Sequence, residues 1–361
     1  MSGRLPLVLD VDTGIDDSLA LLYACASSEA ELVAVTCVAG NVPLAVVVEN
    51  TLAVLELAGR PDVPVHAGAS RPLVKPLVTT EETHGPRGIG HARLAVAARV
   101  PASDDAAGAI VRLARDRPGE IRLATLGPVT NLARALALEP RLPALLSGWT
   151  MMGGAFGVPG NTTPTSEWNV HVDPDALVAC LAGWEPEAPS VRGGPGWLRP
   201  VAMGLDVTER AWLLPEHVAT LARRAGATAA DAAVLLAPAS PMRPSGTIAA
   251  DPVLRFVVDA LRFYFEFHAA NDGFYGAFIH DPFVVAATLD PGLVRTRALA
   301  VDVELGPGPA HAMTVADWRG TTRREPTMDI AVEAEAEAFL DRLVERVAAL
   351  AATRRAATAP G

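Results

Sequence analysis

Residues 5–10 form a short apolar run rich in Leu and Val, the pattern of a buried strand. Thr13-Gly14 follow as turn chemistry. From Asp16 the spacing becomes helical, with Leu19, Leu22, Tyr23 and Ala26 on one face. Asp16 and Asp17 in the first turn suit the positive end of that helix. A second strand is predicted over residues 32–38, closed by Gly40-Asn41, and a second helix over 46–57. The alternation recurs with a strand over 121–126, the turn Gly127-Pro128 and a helix over 131–138. A strand over 149–152 ends in Gly153-Gly154, and another is predicted over 201–207. Strands alternating with helices predict an α/β chain, Rossmann-like, with a mostly parallel central sheet and helices on both faces. In such sheets ligands bind beyond the carboxyl ends of the strands. The residues just after each strand therefore carry the search for chemistry.

Three stretches depart from the alternation. Residues 79–91 hold Gly85, Gly88 and Gly90 and read as a mobile loop. Residues 185–200 are rich in Pro and Gly and read as an exposed insertion. Residues 332–357 are Ala-rich, with a helical pattern through Phe339, Leu343 and Val347, and 353–361 read as a loose tail. No repeat of fixed period and no clean linker occurs. Residues 1–361 are thus expected to form one domain with its core over 5–350.

Composition narrows the partners. Half of the 361 residues are hydrophobic, which is ample for a large core, and the net charge is −11. An acidic chain without a basic patch repels polyphosphate, so nucleic acid is not expected as a partner. The cysteines, Cys25, Cys37 and Cys180, are odd in number and show no CxxC spacing. They read as buried reduced thiols in a reducing compartment. There is no signal-peptide pattern, and no apolar run reaches the roughly 18 residues that span a bilayer. The expectation is a soluble cytoplasmic protein.

The first strand end carries Asp10, Asp12, Asp16 and Asp17 within eight residues. Crowded carboxylates repel one another, and a bound divalent cation relieves that cost. Oxygen ligands favour calcium or magnesium over zinc. After the second strand, Asn41 can orient a carboxylate or accept a turn. After the third, Leu126-Gly127-Pro128 offers a backbone carbonyl to a hard cation. After the Trp149 strand, Gly153-Gly154 permit close approach. Asn161, Glu167 and Asn169 follow, side chains suited to a polyhydroxylated ligand. His171 and Asp173 read as structural. Last comes His280-Asp281-Pro282, where Pro suits a helix start, Asp281 is a fifth acid and His280 has a pKa range suited to acid catalysis.

In this order the motifs resemble the inosine-uridine preferring nucleoside hydrolase family over residues 5–350. They are Asp12-Thr13-Gly14-Ile15-Asp16-Asp17, Gly40-Asn41, Leu126-Gly127-Pro128 with Thr130-Asn131, and Met152-Gly153-Gly154-Ala155. Pro159-Gly160-Asn161, Glu167-Trp168-Asn169, Gly204-Leu205-Asp206-Val207-Thr208 and Ile279-His280-Asp281-Pro282 complete the set. The resemblance implies hydrolysis of the N-glycosidic bond of ribonucleosides to base and ribose, in purine or pyrimidine salvage. It implies a Ca2+ ion held by Asp12, Asp17, Asp281 and the Leu126 carbonyl, with Asp12 as general base toward the attacking water. Asp16 would take the ribose 2′ hydroxyl, Asn169 the 3′ side, and Asn161 and Glu167 the 5′ hydroxyl. Asn41 would orient the acids and Met152 would line the ribose pocket. His280 would protonate the departing base, favouring pyrimidine or mixed specificity, and His84 would close over it. A homodimer or homotetramer is also implied.

Some features depart from the family pattern. Arg87 in the glycine-rich loop unsettles base preference, and Trp168 replaces a common Phe. Residues 264–275 should line the base pocket, with His268, Asn271, Asp272 and Tyr275 as candidates. Asp10-Val11-Asp12 also partly matches haloacid-dehalogenase-like phosphatases, with Asp10 as nucleophile and magnesium. That reading needs a later lysine, and the only lysine is Lys75, too early in the chain. A non-catalytic nucleoside-binding protein would keep the pocket without needing Asp12 as a base.

Overall fold

The computed structural model describes residues 3–184, 199–228, 230–231 and 246–358. Its strands are β1 (Leu5–Val11), β2 (Ala30–Cys37), β3 (Val65–Ala67), β4 (Arg122–Thr125), β5 (Gly148–Met152) and β6 (Val201–Met203). They continue with β7 (Trp212–Leu213), β8 (Ala277–Phe278), β9 (Val294–Leu299), β10 (Val301–Val303), β11 (Thr314–Ala316) and β12 (Met328–Ala334). Eight of them form one sheet in the order β3-β2-β1-β4-β5-β6-β12-β9. Every pairing in it is parallel except that of β12 with β9.

The parallel strands are buried on both faces, which is why their sequences are apolar almost without interruption. Along β1, Leu7, Leu9 and Val11 point into one core and Val8 into the other. Helices Ile15–Ala26, Leu44–Leu57, Pro252–Asn271, Asp281–Leu289 and Ala336–Thr358 cover the first core. Helices Ala106–Asp116, Thr130–Leu138 and Pro174–Gly183 cover the second. The mostly parallel α/β sheet with helices on both faces is therefore the architecture present.

The chain runs outward from β1 to β2 and β3, then returns to lay β4 on the other side of β1. This places a switch point between the carboxyl ends of β1 and β4, the position where such sheets open a crevice. The Leu126 N–H donates to the Asp10 carbonyl at 2.7 Å and carries the pairing to the strand ends.

Several local expectations are corrected. Residues 201–207 are not one strand. β6 stops at Met203, and the Gly204 carbonyl accepts from the Thr208 N–H and hydroxyl, starting the helical turn Leu205–Thr208. Residues 332–334 belong to β12, because pairing of Glu333 with Arg295 and Ala334 with Val294 overrides their helical propensity. The final helix runs to Thr358 rather than loosening at 353. Arg354 Nε donates to the Leu57 carbonyl at 3.1 Å, and an Arg355 guanidinium N–H donates to the Ala225 carbonyl at 2.6 Å. The 79–91 loop contains the helical turn Glu81–His84 and is tied down by Asn50, whose amide donates to the Arg87 carbonyl at 2.8 Å. Most of the 185–200 segment lies outside the described residues. Among the described residues no helix is long and apolar enough to cross a membrane.

The last helix is anchored by Phe339, fully buried and stacked on Phe283 with ring centroids 4.3 Å apart, its other neighbour being Tyr23. Phe339→Ala should cost about 3–5 kcal/mol in urea unfolding. A loss under about 1 kcal/mol would show that this aromatic stack does not hold the helix to the core.

Candidate active site

The carboxyl ends of β1, β2, β4 and β5 and the start of helix Asp281–Leu289 converge on a cavity of about 490 Å³. Asp12 is 1% exposed and Asp17 fully buried. Asp17 folds back over the turn: one oxygen accepts from the Asp12 N–H at 3.1 Å, the other from the Gly14 N–H at 2.8 Å. Asn41 joins the two acids. Its N–H donates to Asp12 Oδ2 at 2.8 Å and its amide to Asp17 Oδ2 at 3.2 Å. Glycine is needed at 40 and 127, because a Cβ at either would lie within 2.1 and 2.5 Å of the Asp12 carboxylate.

Among the described residues, no cationic side chain balances these acids. Burial, then the charge of Asp17, pushes the Asp16 carboxyl up to about 8. Burial, again followed by Asp17, holds Asp12 well above the ordinary carboxylate range. Burial, then Asp16, does the same for Asp281, and burial raises Asp17. Carboxylate oxygens of Asp16, Asp17 and Asp281 lie within 4.8 Å of one another, close enough to share an ion. Asp12 is not in that trio, but its Oδ1 is sealed from solvent and has no hydrogen-bond partner among the described residues. An orphaned carboxylate oxygen beside three crowded acids is a donor set that fits a hard divalent cation. The Leu126 carbonyl is close by, accepting from the Asn169 amide at 2.6 Å and keeping a second lone pair.

Asp10 is a different case. It is fully buried, with Oδ1 accepting from Thr36 at 2.6 Å and from Asn131 at 2.8 Å, and burial raises its carboxyl to about 7. It does not line the cavity and cannot reach a substrate. Lys75 donates to the His171 carbonyl, away from these acids. Both facts remove the phosphatase reading.

Asp16, Asn41, Leu126, Met152, Asn169 and Asp281 line the cavity together with Asn161, Glu167 and Trp168. Glu167 caps the helical turn Trp168–Val172, accepting from the Gly154, Asn169 and Val170 N–H groups at 2.8–3.1 Å. Trp168 Nε1 is buried without a partner among the described residues. Asp173 caps the next helix and accepts from Thr130, a structural role.

His84, His268 and His280 line the cavity too. His84 Nδ1 accepts from the Ile15 N–H at 3.1 Å, so its neutral ring carries hydrogen on Nε2. The Thr208 hydroxyl lies 2.9 Å from His280 Nδ1 and 3.2 Å from the Gly204 carbonyl. Burial, with help from neighbouring histidines, pushes both His84 and His280 down to about 3. For His280 this lies below the near-neutral range expected of its sequence position.

Tyr264 and Phe267, in the expected 264–275 segment but not singled out within it, also line the cavity, as do Phe278 and Glu209, which sequence reasoning missed. Tyr264, His268 and Asp272 recur at helical spacing, a stripe readable in principle. Tyr275 turns away and packs on Phe265, ring centroids 5.5 Å apart. Arg87 pairs with Glu49 at 2.6 Å and is not among the residues that line the cavity.

Residues 7–341 match the family of inosine-uridine preferring nucleoside hydrolases, and the chain belongs to that family. It is an enzyme, a hydrolase acting on N-glycosyl bonds. It is 33% identical over 345 residues to the pyrimidine-specific ribonucleoside hydrolase RihA of Klebsiella pneumoniae, covering 95% of this chain and 98% of that one. RihA of Salmonella paratyphi C is 32% identical with the same coverage. Among solved structures, a purine-preferring ribonucleoside hydrolase from Gardnerella vaginalis superposes with a TM-score of 0.81 at 27% identity, covering 96% of this chain and 99% of that one. The plant nucleoside hydrolase PpNRh1 gives 0.79 at 26%, with the same coverage.

The crowded acids make a pH prediction. Asp10 and Asp16 titrate near 7 and 8 when folded, above their ordinary 3.8, so the folded chain holds more protons than the unfolded one. Metal-free protein should therefore lose thermal stability between about pH 6 and about pH 8, and calcium should raise Tm more at the higher pH. Stability that rises with pH without metal, or a calcium effect equal at both ends, contradicts the crowding.

Proposed function

We propose that this protein hydrolyses ribonucleosides to free base and ribose, with calcium as its ion and pyrimidine or mixed base specificity. The observation that carries the reading is the buried acid cluster, uncompensated among the described residues, beside a cavity whose lining includes carboxylates and amides. Asp12, Asp17, Asp281 and the Leu126 carbonyl hold the ion. When bound, calcium supplies the charge that acidifies water and helps fix the ribose hydroxyls. Asp12 accepts the proton of the attacking water through its unpartnered oxygen. Asp16 binds the 2′ hydroxyl, Asn169 the 3′ side, and Asn161 and Glu167 the 5′ hydroxyl. Met152 and Trp168 flank the sugar. The surrounding carboxylates favour the positive charge of an oxocarbenium-like transition state. His280, uncharged at rest, donates a hydrogen bond from Nε2 to the departing base, the Thr208 hydroxyl turning from the Gly204 carbonyl to donate to Nδ1. His84 covers the base with its Nε2–H as a donor.

The pyrimidine side of this reading is supported by likeness to relatives named pyrimidine-specific, while a structural neighbour is named purine-preferring. The same proposal places the enzyme in nucleoside salvage in the cytoplasm, supported by three free cysteines. It also makes it a homodimer or homotetramer, supported by the exposed apolar side chains of Val74, Val96 and Val100.

Free ribose should appear from uridine, cytidine or inosine with calcium and vanish with a chelator. Asp12→Ala should lower kcat by at least about 10²–10⁴ while circular dichroism shows an intact fold. Normal turnover in that variant removes the assigned base.

A further inference from the structure

Residues 153–161 lead from β5 to Asn161 in the cavity wall. They form neither helix nor strand, so their backbone polar groups need partners from elsewhere. Gly154 finds two: its N–H donates to Glu167 at 3.0 Å and its carbonyl accepts from the Leu205 N–H at 2.9 Å. The Phe156 and Gly157 N–H groups donate to the two oxygens of Asp206 at 2.9 and 2.7 Å. Trp318 Nε1 donates to the Phe156 carbonyl at 3.0 Å. Between them, Ala155 is held by Thr314 alone. The Thr314 hydroxyl accepts from the Ala155 N–H at 3.0 Å and donates to the Ala155 carbonyl at 2.9 Å. One side chain thus serves both polar groups of Ala155, as a neighbouring strand would.

Thr314 belongs neither to the main sheet nor to the cavity lining. It starts β11, which pairs antiparallel with β10 in a hairpin of its own, Thr314 opposite Val303. Thr314 is 1% exposed and Ala155 4%, so water cannot take over from the hydroxyl. The same hairpin reaches the loop again farther along. In the β10–β11 connection the Pro309 carbonyl accepts from the Thr165 hydroxyl at 2.9 Å. The hairpin therefore grips the loop before and after Gly160, Asn161 and Thr162, which line the cavity. The acid cluster is steadied by other groups, the Gly14 and Asn41 N–H among them.

We propose that Thr314 is a positioning residue for the reaction. Through Ala155 the β10–β11 hairpin sets the loop that leads to Asn161 and Glu167, and so sets how the 5′ end of the ribose is held. This rests on the ribonucleoside hydrolase reading above, with its assignment of those two side chains, and extends it to a residue outside the cavity.

The test uses calcium-loaded protein and whichever of uridine and inosine the wild type cleaves faster, beside its 5′-deoxy analogue. Wild type should prefer the full nucleoside in kcat/KM by at least about tenfold. Thr314→Val keeps the shape of the side chain and removes the hydroxyl. It should lower kcat/KM about ten- to a hundredfold for the full nucleoside and no more than about threefold for the 5′-deoxy analogue. Thr314→Ser keeps the hydroxyl and should stay within about threefold of wild type on both. Calcium affinity by calorimetry should change less than about threefold in either variant, because the hairpin holds the sugar loop and not the acids. Equal losses on the two substrates, or a parallel loss of calcium affinity, are what a merely structural role would give and overturn the proposal. So do an unchanged Thr314→Val, a Thr314→Ser as slow as Thr314→Val, and a wild type indifferent to the 5′ hydroxyl. If Thr314→Val does not fold, Trp318→Phe, which removes the N–H to Phe156 and keeps an aromatic ring, is read by the same split between substrates. No ribose from any nucleoside or from p-nitrophenyl riboside in wild type overturns the hydrolase reading and this proposal together. Ribose release with the same 5′ discrimination in wild type and variant overturns this proposal alone.

Discussion

The structure depends on one unfavourable interaction, the mutual repulsion of buried carboxylates at the switch point of the sheet. Asp12, Asp16, Asp17 and Asp281 come together because β1 ends there and helix Asp281–Leu289 starts there. Two backbone N–H groups and the Asn41 amide steady Asp17, and the Asn41 N–H steadies one oxygen of Asp12. Nothing in the described residues satisfies the other oxygen of Asp12. Such a cluster persists only if function requires it, and a hard cation is what turns repulsion into binding. Gly40 and Gly127 are shaped by the same constraint, since either side chain would displace the Asp12 carboxylate.

Most of this was legible from the order of residues. β1, β2, β4 and β5 are parallel interior strands, so their apolar runs are nearly continuous and the acids stand out at their ends. The outer part of the sheet was harder. β9 is an edge strand carrying the exposed Arg295 and Arg297, so it lacks the apolar signature of a buried strand. The end of β12 reads as helix because its alanines favour one, and only pairing with β9 decides otherwise. The base end was legible only as a segment. Tyr264, His268 and Asp272 share a face only once residues 252–271 are known to be helical. The orientation of His84 depends on Ile15, 69 residues away, which no local pattern reveals.

In the proposed function, sugar and base are handled by opposite means. The sugar end uses charge, with acids that fit an ion and a developing positive centre. The base end uses neutral rings whose tautomers are set by their second hydrogen bond. Burial lowers the pKa of His84, His268 and His280, which favours their uncharged forms. A chain of this family can hold the first arrangement while varying the second. This is consistent with a fold shared by relatives named for pyrimidines and neighbours named for purines.

The central claim is that protonated, crowded acids await a divalent cation. Calorimetric titration of calcium into metal-free protein near pH 7, in two buffers of different ionisation enthalpy, tests it directly by counting protons. Binding of a single ion per chain with net release of protons is the predicted result, because the acids raised by burial must ionise to hold it. Absence of calcium binding, or binding with no proton released, would contradict it.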